Sequence, residues 1–212
     1  MRMLAYLWMA AAALAFQPDT AVLRRLFEEN LARREREFGP ADARTAQAAR
    51  DLGLFLQRAI DTAGAHRALA EAVRVDEKAF GPAAPETLED VSSLAEVSPR
   101  AEAEPLLRRA AESSDPAVAG QALTTLGAYR KAAGDRAGAA ACLRRAVEKA
   151  ETAVGKDDPI VALVLTALSQ VVDAKEAVAA LERAVSIDQR ALGPQAPQTV
   201  QAARALAALH GR

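Results

Sequence analysis

The sequence has little of what catalysis, metal binding or disulfide bonding requires. It contains one cysteine, Cys142, and two histidines, His66 and His210. A single cysteine cannot form an internal disulfide, and no cluster of Cys, His and carboxylate residues has the spacing of a metal site. No nucleophile elbow or phosphate-binding loop is present. We therefore expect no catalytic, cofactor-binding or metal-binding residues, and a chain that is not an enzyme; an enzymatic alternative would need a hydrolase or metal site that these patterns do not reveal.

Aromatic residues are also scarce, and neither sign of charge is in clear excess. Aromatics make up 4% of the 212 residues, and 27 Lys and Arg balance 28 Asp and Glu. A nucleic-acid partner usually requires a strongly basic surface, so none is expected. Alanine, leucine, arginine and glutamate favour helices, whereas the β-branched and aromatic residues that strands prefer are sparse. The composition therefore predicts an all-α protein.

The first residues differ from the rest of the chain. "MRMLAYLWMAAAALAFQPDT" has Arg2, an apolar run over residues 3–16, and small residues at Ala13 and Ala15. This order is typical of a secretory signal peptide, and the run is shorter than the roughly 20 residues that span a bilayer. We predict a cleaved signal peptide over residues 1–16, no stable membrane span after cleavage, and export to a bacterial periplasm or the extracellular space. The alternative is an ordinary N-terminal helix.

One short phrase recurs along the chain. "REFGPADART" begins at residue 36 and "KAFGPAAPET" at residue 78, with looser copies "TAVGKDDPIV" from residue 152 and "RALGPQAPQT" from residue 190. Glycine followed by proline cannot continue a helix, because glycine permits positive φ and proline lacks a donor. Recurrence at this interval is the signature of stacked repeats, and the phrase is predicted to join one repeat to the next.

The clearest repeat is "ALTTLGAYRKAAGDRAGAAACLRRAVEKAETAVG", residues 122–155. Its apolar residues follow helical spacing on both sides of the break at Gly134, which predicts a helical hairpin. Small residues let the two helices approach closely, and Leu143 fills the space between them. The apolar face of one hairpin cannot be buried alone, so copies must stack.

Leu126-Gly127, Ala139, Leu143 and Ala146 resemble the tetratricopeptide repeat pattern. The long second helix ending in glycine and proline resembles the 42-residue variety found in kinesin light chains. The resemblance implies an α-solenoid of stacked antiparallel helical hairpins, the TPR superhelix; an unrelated solenoid of the HEAT type is the alternative. The other copies carry the pattern at these positions: Leu52-Gly53, Ala65, Leu69 and Ala72; Leu94-Ala95, Ala103, Leu107 and Ala110; Leu168-Ser169, Ala177, Leu181 and Ala184.

The resemblance divides residues 17–212 into an array of repeats. Two of the repeats are short: Leu94 to Ala103, and Leu168 to Ala177, span one helical turn less than Leu126 to Ala139. The predicted order is a half repeat over residues 20–40, four repeats over 41–82, 83–114, 115–156 and 157–194, and a terminal helix over 195–210.

The resemblance also implies a function. Tetratricopeptide arrays expose a concave groove lined by the first helix of each hairpin, in which a partner protein or peptide binds. Kinesin-light-chain-like grooves often carry an asparagine ladder, but the corresponding residues here are Asp51, Ser93, Thr125 and Ala167. The groove candidates are Arg50, Asp51, Gln57, Arg58, Ser93, Thr125, Lys131 and Gln170.

Two functions follow from these expectations. The first is an exported, non-enzymatic scaffold that binds a partner protein or peptide in its groove and needs no cofactor. The second is a self-assembling structural envelope protein. Its chains would stack head to tail through the half repeats at the two ends of the array.

Overall fold

The computed structural model describes residues 20–211, so the predicted signal peptide over residues 1–16 lies outside the described residues. Residues 20–211 form ten α-helices and no strand, which confirms the all-α prediction. The helices are α1 Thr20–Phe38, α2 Ala43–Arg58, α3 Thr62–Ala79, α4 Pro85–Val97, α5 Arg100–Ala110, α6 Pro116–Ala132, α7 Arg136–Val154, α8 Pro159–Ser169, α9 Ala174–Ala191 and α10 Pro197–His210.

These helices belong to two compact units, divided within α3 between Val75 and Asp76. In unit 1, α1 packs against α2, and the rings of Phe27 and Phe55 stack with their centroids 5.0 Å apart. In unit 2, which contains α4 to α10, each helix packs against the next, and α4 also contacts α6. Consecutive packing of this kind is typical of stacked helical hairpins.

Within a hairpin, the leucine of the second helix packs against a small residue of the first. In unit 1, a Cβ built on Gly53 would lie 2.6 Å from Cγ of Leu69, so only glycine fits at this distance. Leu69 is fully buried. The Leu-Gly pair in the sequence therefore marks the point of closest approach between the two helices.

Between hairpins, the chain turns at a glycine with positive φ. Four of these junction glycines have nearly the same conformation: Gly39, Gly81, Gly155 and Gly193, with φ of 90°, 91°, 90° and 89°. Residues with a Cβ rarely adopt this conformation, so glycine is the natural residue at the end of the second helix. This geometry accounts for the glycine in the recurring phrase.

The threonine of the recurring phrase has a matching role. Six residues after three of the junction glycines, a threonine Oγ1 donates a hydrogen bond to the glycine carbonyl: Thr45 to Gly39 at 2.8 Å, Thr87 to Gly81 at 2.8 Å and Thr199 to Gly193 at 2.9 Å. These threonines are buried. After Gly155 the same position holds Val161, which is buried but has no hydroxyl.

Two arginines on the second helices of unit 2 contact the helix end and junction that precede their own hairpin. Arg109 pairs with Glu77 at 2.6 Å and donates to the carbonyl of Pro82 at 2.7 Å. Arg183 pairs with Glu151 at 2.5 Å and donates to the carbonyl of Lys156 at 3.1 Å. Both arginines lie two residues after the repeat leucine, so the same contact recurs in two repeats.

Candidate partner-binding surface

The first helices of unit 2 carry three depressions. The first lies between α4 and α6, has a cavity volume of about 370 Å³ and is polar. In it, Nε2 of Gln121 donates to Oε1 of Glu96 at 3.1 Å, and Oγ of Ser93 donates to the carbonyl of Glu89 at 3.2 Å. Polar groups that line the first depression therefore already form hydrogen bonds within the protein.

The second depression lies between α6 and α8 and is mainly apolar. Its cavity volume is about 290 Å³, and Val154, Ile160 and Leu163 are among its lining residues. Two lining threonines direct their hydroxyls to their own helix: Thr124 donates to the carbonyl of Gly120 at 2.8 Å, and Thr125 to that of Gln121 at 3.2 Å. The surface left for a ligand is consequently hydrophobic.

The third depression lies between α8, the end of α9 and α10. Its cavity volume is about 400 Å³. Ile160, Leu163 and Leu192 supply apolar walls, and Asp188 is the most buried of its polar lining residues. The remaining polar lining residues are Thr166, Gln170, Gln198 and Gln201.

Ile160 and Leu163, which we call the α8 ridge, stand between the second and third depressions. Leu163 is 65% exposed and Ile160 51% exposed, with Val154 and Leu192 exposed beside them at 41% and 43%. Isolated apolar residues are common on surfaces, whereas contiguous exposed groups often mark interaction sites, so the α8 ridge is a candidate for one.

Comparison of the repeats shows that Leu163 is unusual at its position. It lies eight residues after the junction glycine Gly155. The residues eight positions after the other three junction glycines are Gln47, Glu89 and Gln201, all exposed and polar. Packing within the hairpin therefore does not require an apolar residue here, and the α8 ridge needs another explanation.

Asp188 is the most unusual polar residue of this surface. It is 4% exposed, and within residues 20–211 its carboxylate makes no hydrogen bond or ion pair. Burial raises the pKa of the Asp188 carboxyl above its ordinary value. A buried carboxylate usually has a partner, because removing a charge from water costs free energy that only pairing or hydrogen bonding offsets.

The residues predicted from the sequence fall into two groups. Ser93, Thr125 and Gln170 each line one of the three depressions of unit 2. Lys131, on α6, donates a hydrogen bond from Nζ to Oε1 of Gln170, so the structure brings these two side chains together.

The other predicted residues all lie on α2 in unit 1: Arg50, Asp51, Gln57 and Arg58. Oδ1 of Asp51 accepts a hydrogen bond from Nε2 of Gln47 at 2.9 Å, and Arg58 is exposed. The role of the eight candidates in partner binding stays a prediction.

Sequence reasoning missed the α8 ridge and Asp188. The α8 sequence "PIVALVLTALS" is apolar at nearly every position, so periodicity could not distinguish its buried face from its exposed one. A usable signal was nevertheless present: Leu163 replaces the Gln or Glu found at the same distance from the other junction glycines. Asp188 gave a weaker signal: Asp76 lies at the same distance before its junction glycine and is also buried, but "SIDQRALG" by itself has the composition of an exposed helix end.

Other types of site were sought in the same part of the chain. Across residues 20–211, no group of three or more His, Cys, Asp and Glu residues could hold a metal ion. None of the helices described is both long and apolar enough to cross a membrane. Cys142, on α7, is buried.

Comparisons with known proteins agree with this architecture. The crystal structure of BtubC (BKLC) from P. vanneervenii matches with a TM-score of 0.73 and 19% sequence identity, over 91% of this chain and 82% of that chain. At this identity the match shows the fold alone. The predicted α-solenoid of helical hairpins is therefore confirmed.

The family comparison identifies the repeats. The tetratricopeptide repeat family matches residues 45–86 and 120–160. These two segments thus match tetratricopeptide repeats, and the predicted resemblance to the kinesin-light-chain-like variety is confirmed. No curated protein matches the chain. Tetratricopeptide repeats generally form scaffolds for protein interaction and not catalytic centres.

Proposed function

We propose that the protein is a non-enzymatic interaction scaffold that binds a partner protein or peptide on the first helices of unit 2. The observation that carries this proposal is the 65% exposure of Leu163, at a position that is Gln or Glu after the other junction glycines. An apolar side chain gains little from water and much from burial against a partner.

The surroundings of the α8 ridge suit such a partner. Depressions of about 290 and 400 Å³ flank it, and both are lined mainly by apolar atoms. Side chains of a bound segment could enter both depressions while its backbone crosses Leu163. Polar groups at the rim, such as Gln198 and Gln201, would then fix the orientation of the segment.

The proposal includes export. Residues 1–16 carry the positive start, apolar run and small residues of a secretory signal peptide. Cell fractionation followed by N-terminal sequencing tests this part. We expect the protein in the periplasm or medium, beginning near Gln17; an intact N terminus on cytoplasmic protein would contradict it.

The binding part is tested by capture from the native cell envelope, with the chain from Gln17 onward as bait. A second bait carries Leu163→Gln, which installs the residue found at the equivalent Gln47 and Gln201. The matched control is Leu26→Gln, the same change at a leucine of unit 1 that is 55% exposed.

We expect a partner that binds the unchanged bait and the control, and whose purified form binds Leu163→Gln at least about tenfold more weakly. Failure to capture any partner would overturn the binding proposal. Equal affinity of the partner for the unchanged chain and for Leu163→Gln would show that the α8 ridge is not part of the binding site. A further bait with Arg50, Arg58 and Lys131 changed to Glu tests the candidates predicted from the sequence.

Self-assembly is the second candidate, and one observation favours it. Val22 and Leu26 on α1 are 53% and 55% exposed, and both would be protected in a contact between copies. Light scattering over a hundredfold range of concentration distinguishes the two functions. A mass that rises with concentration, and falls back with Leu26→Gln, supports self-assembly; a constant monomer mass contradicts it.

A further inference from the structure

The third depression contains a carboxylate that residues 20–211 do not neutralise. Asp188 is 4% exposed and has no side-chain partner within residues 20–211. Among the described residues that line the depression, none is a Lys or Arg. Lys131 hydrogen-bonds to Gln170 at its edge. The depression thus combines an unpaired negative charge with apolar walls.

We propose that this depression receives a lysine or arginine side chain of the partner, whose cation pairs with Asp188 while its alkyl stem lies against Leu163 and Leu192. The proposal rests on the proposed function and states which chemistry the partner presents there. The bound segment would carry a basic residue next to an aliphatic one.

The shape and charge of the depression favour this occupant over others. A long basic side chain has an apolar stem and a charged end, and it needs both an apolar wall and an acidic terminus. Leu163, which is 65% exposed, supplies the apolar wall at the rim of the depression. Asp188, which is 4% exposed, supplies the acidic group inside it. A purely aliphatic side chain would desolvate the carboxylate further, and an acidic one would be repelled by it.

A cation would also remove the cost of the buried charge. Burial raises the pKa of the Asp188 carboxyl, which shows that the ionised form is disfavoured where it stands. A guanidinium or ammonium group at hydrogen-bond distance reverses this preference, because it stabilises the carboxylate directly. Asp188 is therefore an acid for which residues 20–211 provide no pairing cation.

The test uses a library of random dodecapeptides displayed on phage, selected against the full chain immobilised through its C terminus. Selected peptides are synthesised, and their dissociation constants are measured by fluorescence polarisation. The key variant is Asp188→Asn, which keeps the size of the side chain and removes the charge. The control is Glu182→Gln, which removes a charge from the exposed face of the same helix.

We expect the selected peptides to share a lysine or arginine beside a leucine, isoleucine or valine. Asp188→Asn should weaken their binding about tenfold to a hundredfold, since the negative charge that strengthens the hydrogen bond to the cation is lost. Glu182→Gln should leave it unchanged. Replacing the basic residue of the peptide by norleucine should weaken the binding of the peptide to the unchanged chain. The same replacement should not weaken binding to the Asp188→Asn variant any further, because the charge that the basic residue pairs with is already absent.

Other outcomes distinguish the two proposals. Peptides that depend on Leu163 but contain no basic residue, and that bind Asp188→Asn unchanged, would overturn this inference and leave the proposed function standing. Peptides rich in Asp or Glu would overturn it in the same way. If no peptide depends on either Leu163 or Asp188, and no envelope protein is captured, both proposals fail.

Discussion

Leu143 of α7 packs directly against the backbone of Gly127 in α6. A Cβ built on Gly127 would lie 2.7 Å from Cγ of Leu143 and 3.1 Å from its Cδ2. Leu143 is 3% exposed, so it has little room to move away. The separation of α6 and α7 at this point is therefore set by the absence of a side chain at residue 127.

This contact predicts that Gly127→Ala destabilises the protein. We expect the free energy of unfolding to fall by about 1–3 kcal/mol, since overpacking a tight core forces neighbouring groups to shift. Gly120→Ala on the same helix is the control, because the new Cβ would lie 3.4 Å from its nearest neighbour, Cβ of Lys149. That change should be neutral or raise stability by about 0.5–1 kcal/mol. Urea denaturation measures both, and equal effects would contradict the packing described.

The junction threonines predict a second effect on stability. Thr87→Val removes the hydrogen bond to the carbonyl of Gly81 but keeps the shape of the side chain. We expect a loss of about 1 kcal/mol, the usual contribution of a neutral hydrogen bond. Thr152→Val is the control, because Thr152 is exposed and bonds only within α7. A loss no greater than that of the control would show that the hydroxyl has no structural role.

The burial of Ala146 between α6 and α7 limits the size of the side chain that this position accepts. Ala146 is fully buried, and its carbonyl lies 3.8 Å from where a Cβ of Gly120 would be. Ala146→Leu should therefore lower the free energy of unfolding by about 1–3 kcal/mol through overpacking. Ala141→Leu, at an exposed position of the same helix, should change it by less than about 0.5 kcal/mol. An unaltered melting curve for Ala146→Leu would mean that the assigned helix register is wrong.

Asp188 predicts a pH dependence of stability. Burial raises the pKa of its carboxyl, so the folded chain favours the protonated form more than the unfolded chain does. The stability of the unchanged protein relative to Asp188→Asn should then decrease as the pH rises above the ordinary pKa of aspartate, about 3.9. At neutral pH the variant should melt at a higher temperature.

The measurement is the difference in urea midpoint between the unchanged protein and Asp188→Asn at several pH values from 4 to 7. Glu182→Gln provides the reference for removal of an exposed charge. A difference that stays constant with pH, or a less stable Asp188→Asn at pH 7, would contradict the effect of burial on this carboxyl. If Asp188→Asn is more stable than the unchanged protein and also binds the selected peptides more weakly, then Asp188 lowers the stability of the fold but strengthens recognition of the partner.

The repeat architecture could be predicted because each of its features has a local cause. Glycine at 39, 81, 155 and 193 ends a helix wherever it occurs, and Gly127 beside Leu126 marks a close approach that no larger residue permits. The function of the threonine could not be predicted, although its recurrence was visible. The bond from Thr87 to Gly81 joins residues in a turn whose geometry only the structure defines.

The proposed binding surface was harder to predict for a different reason. Ser93, Thr125 and Gln170 were placed on it by analogy with a groove, and all three line depressions. Yet the hydroxyls of Ser93 and Thr125 bond to their own helices, whereas Leu163 stands exposed. Whether an apolar residue is buried depends on neighbours from other repeats, which local periodicity does not contain.

The missing hydroxyl at Val161 has a consequence for how α8 is held. The junctions at Gly39, Gly81 and Gly193 are each closed by a threonine, but the junction at Gly155 is not. Two arginines contact this junction instead: Arg183 donates to the carbonyl of Lys156, and Arg190 pairs with Asp157. Because these arginine contacts are exposed, whereas the threonine bonds are partly buried, amide hydrogens at this junction should exchange with solvent faster than those of the other three. The helix that follows is α8, so the position of Leu163 in the proposed partner-binding surface depends on these exposed arginine contacts.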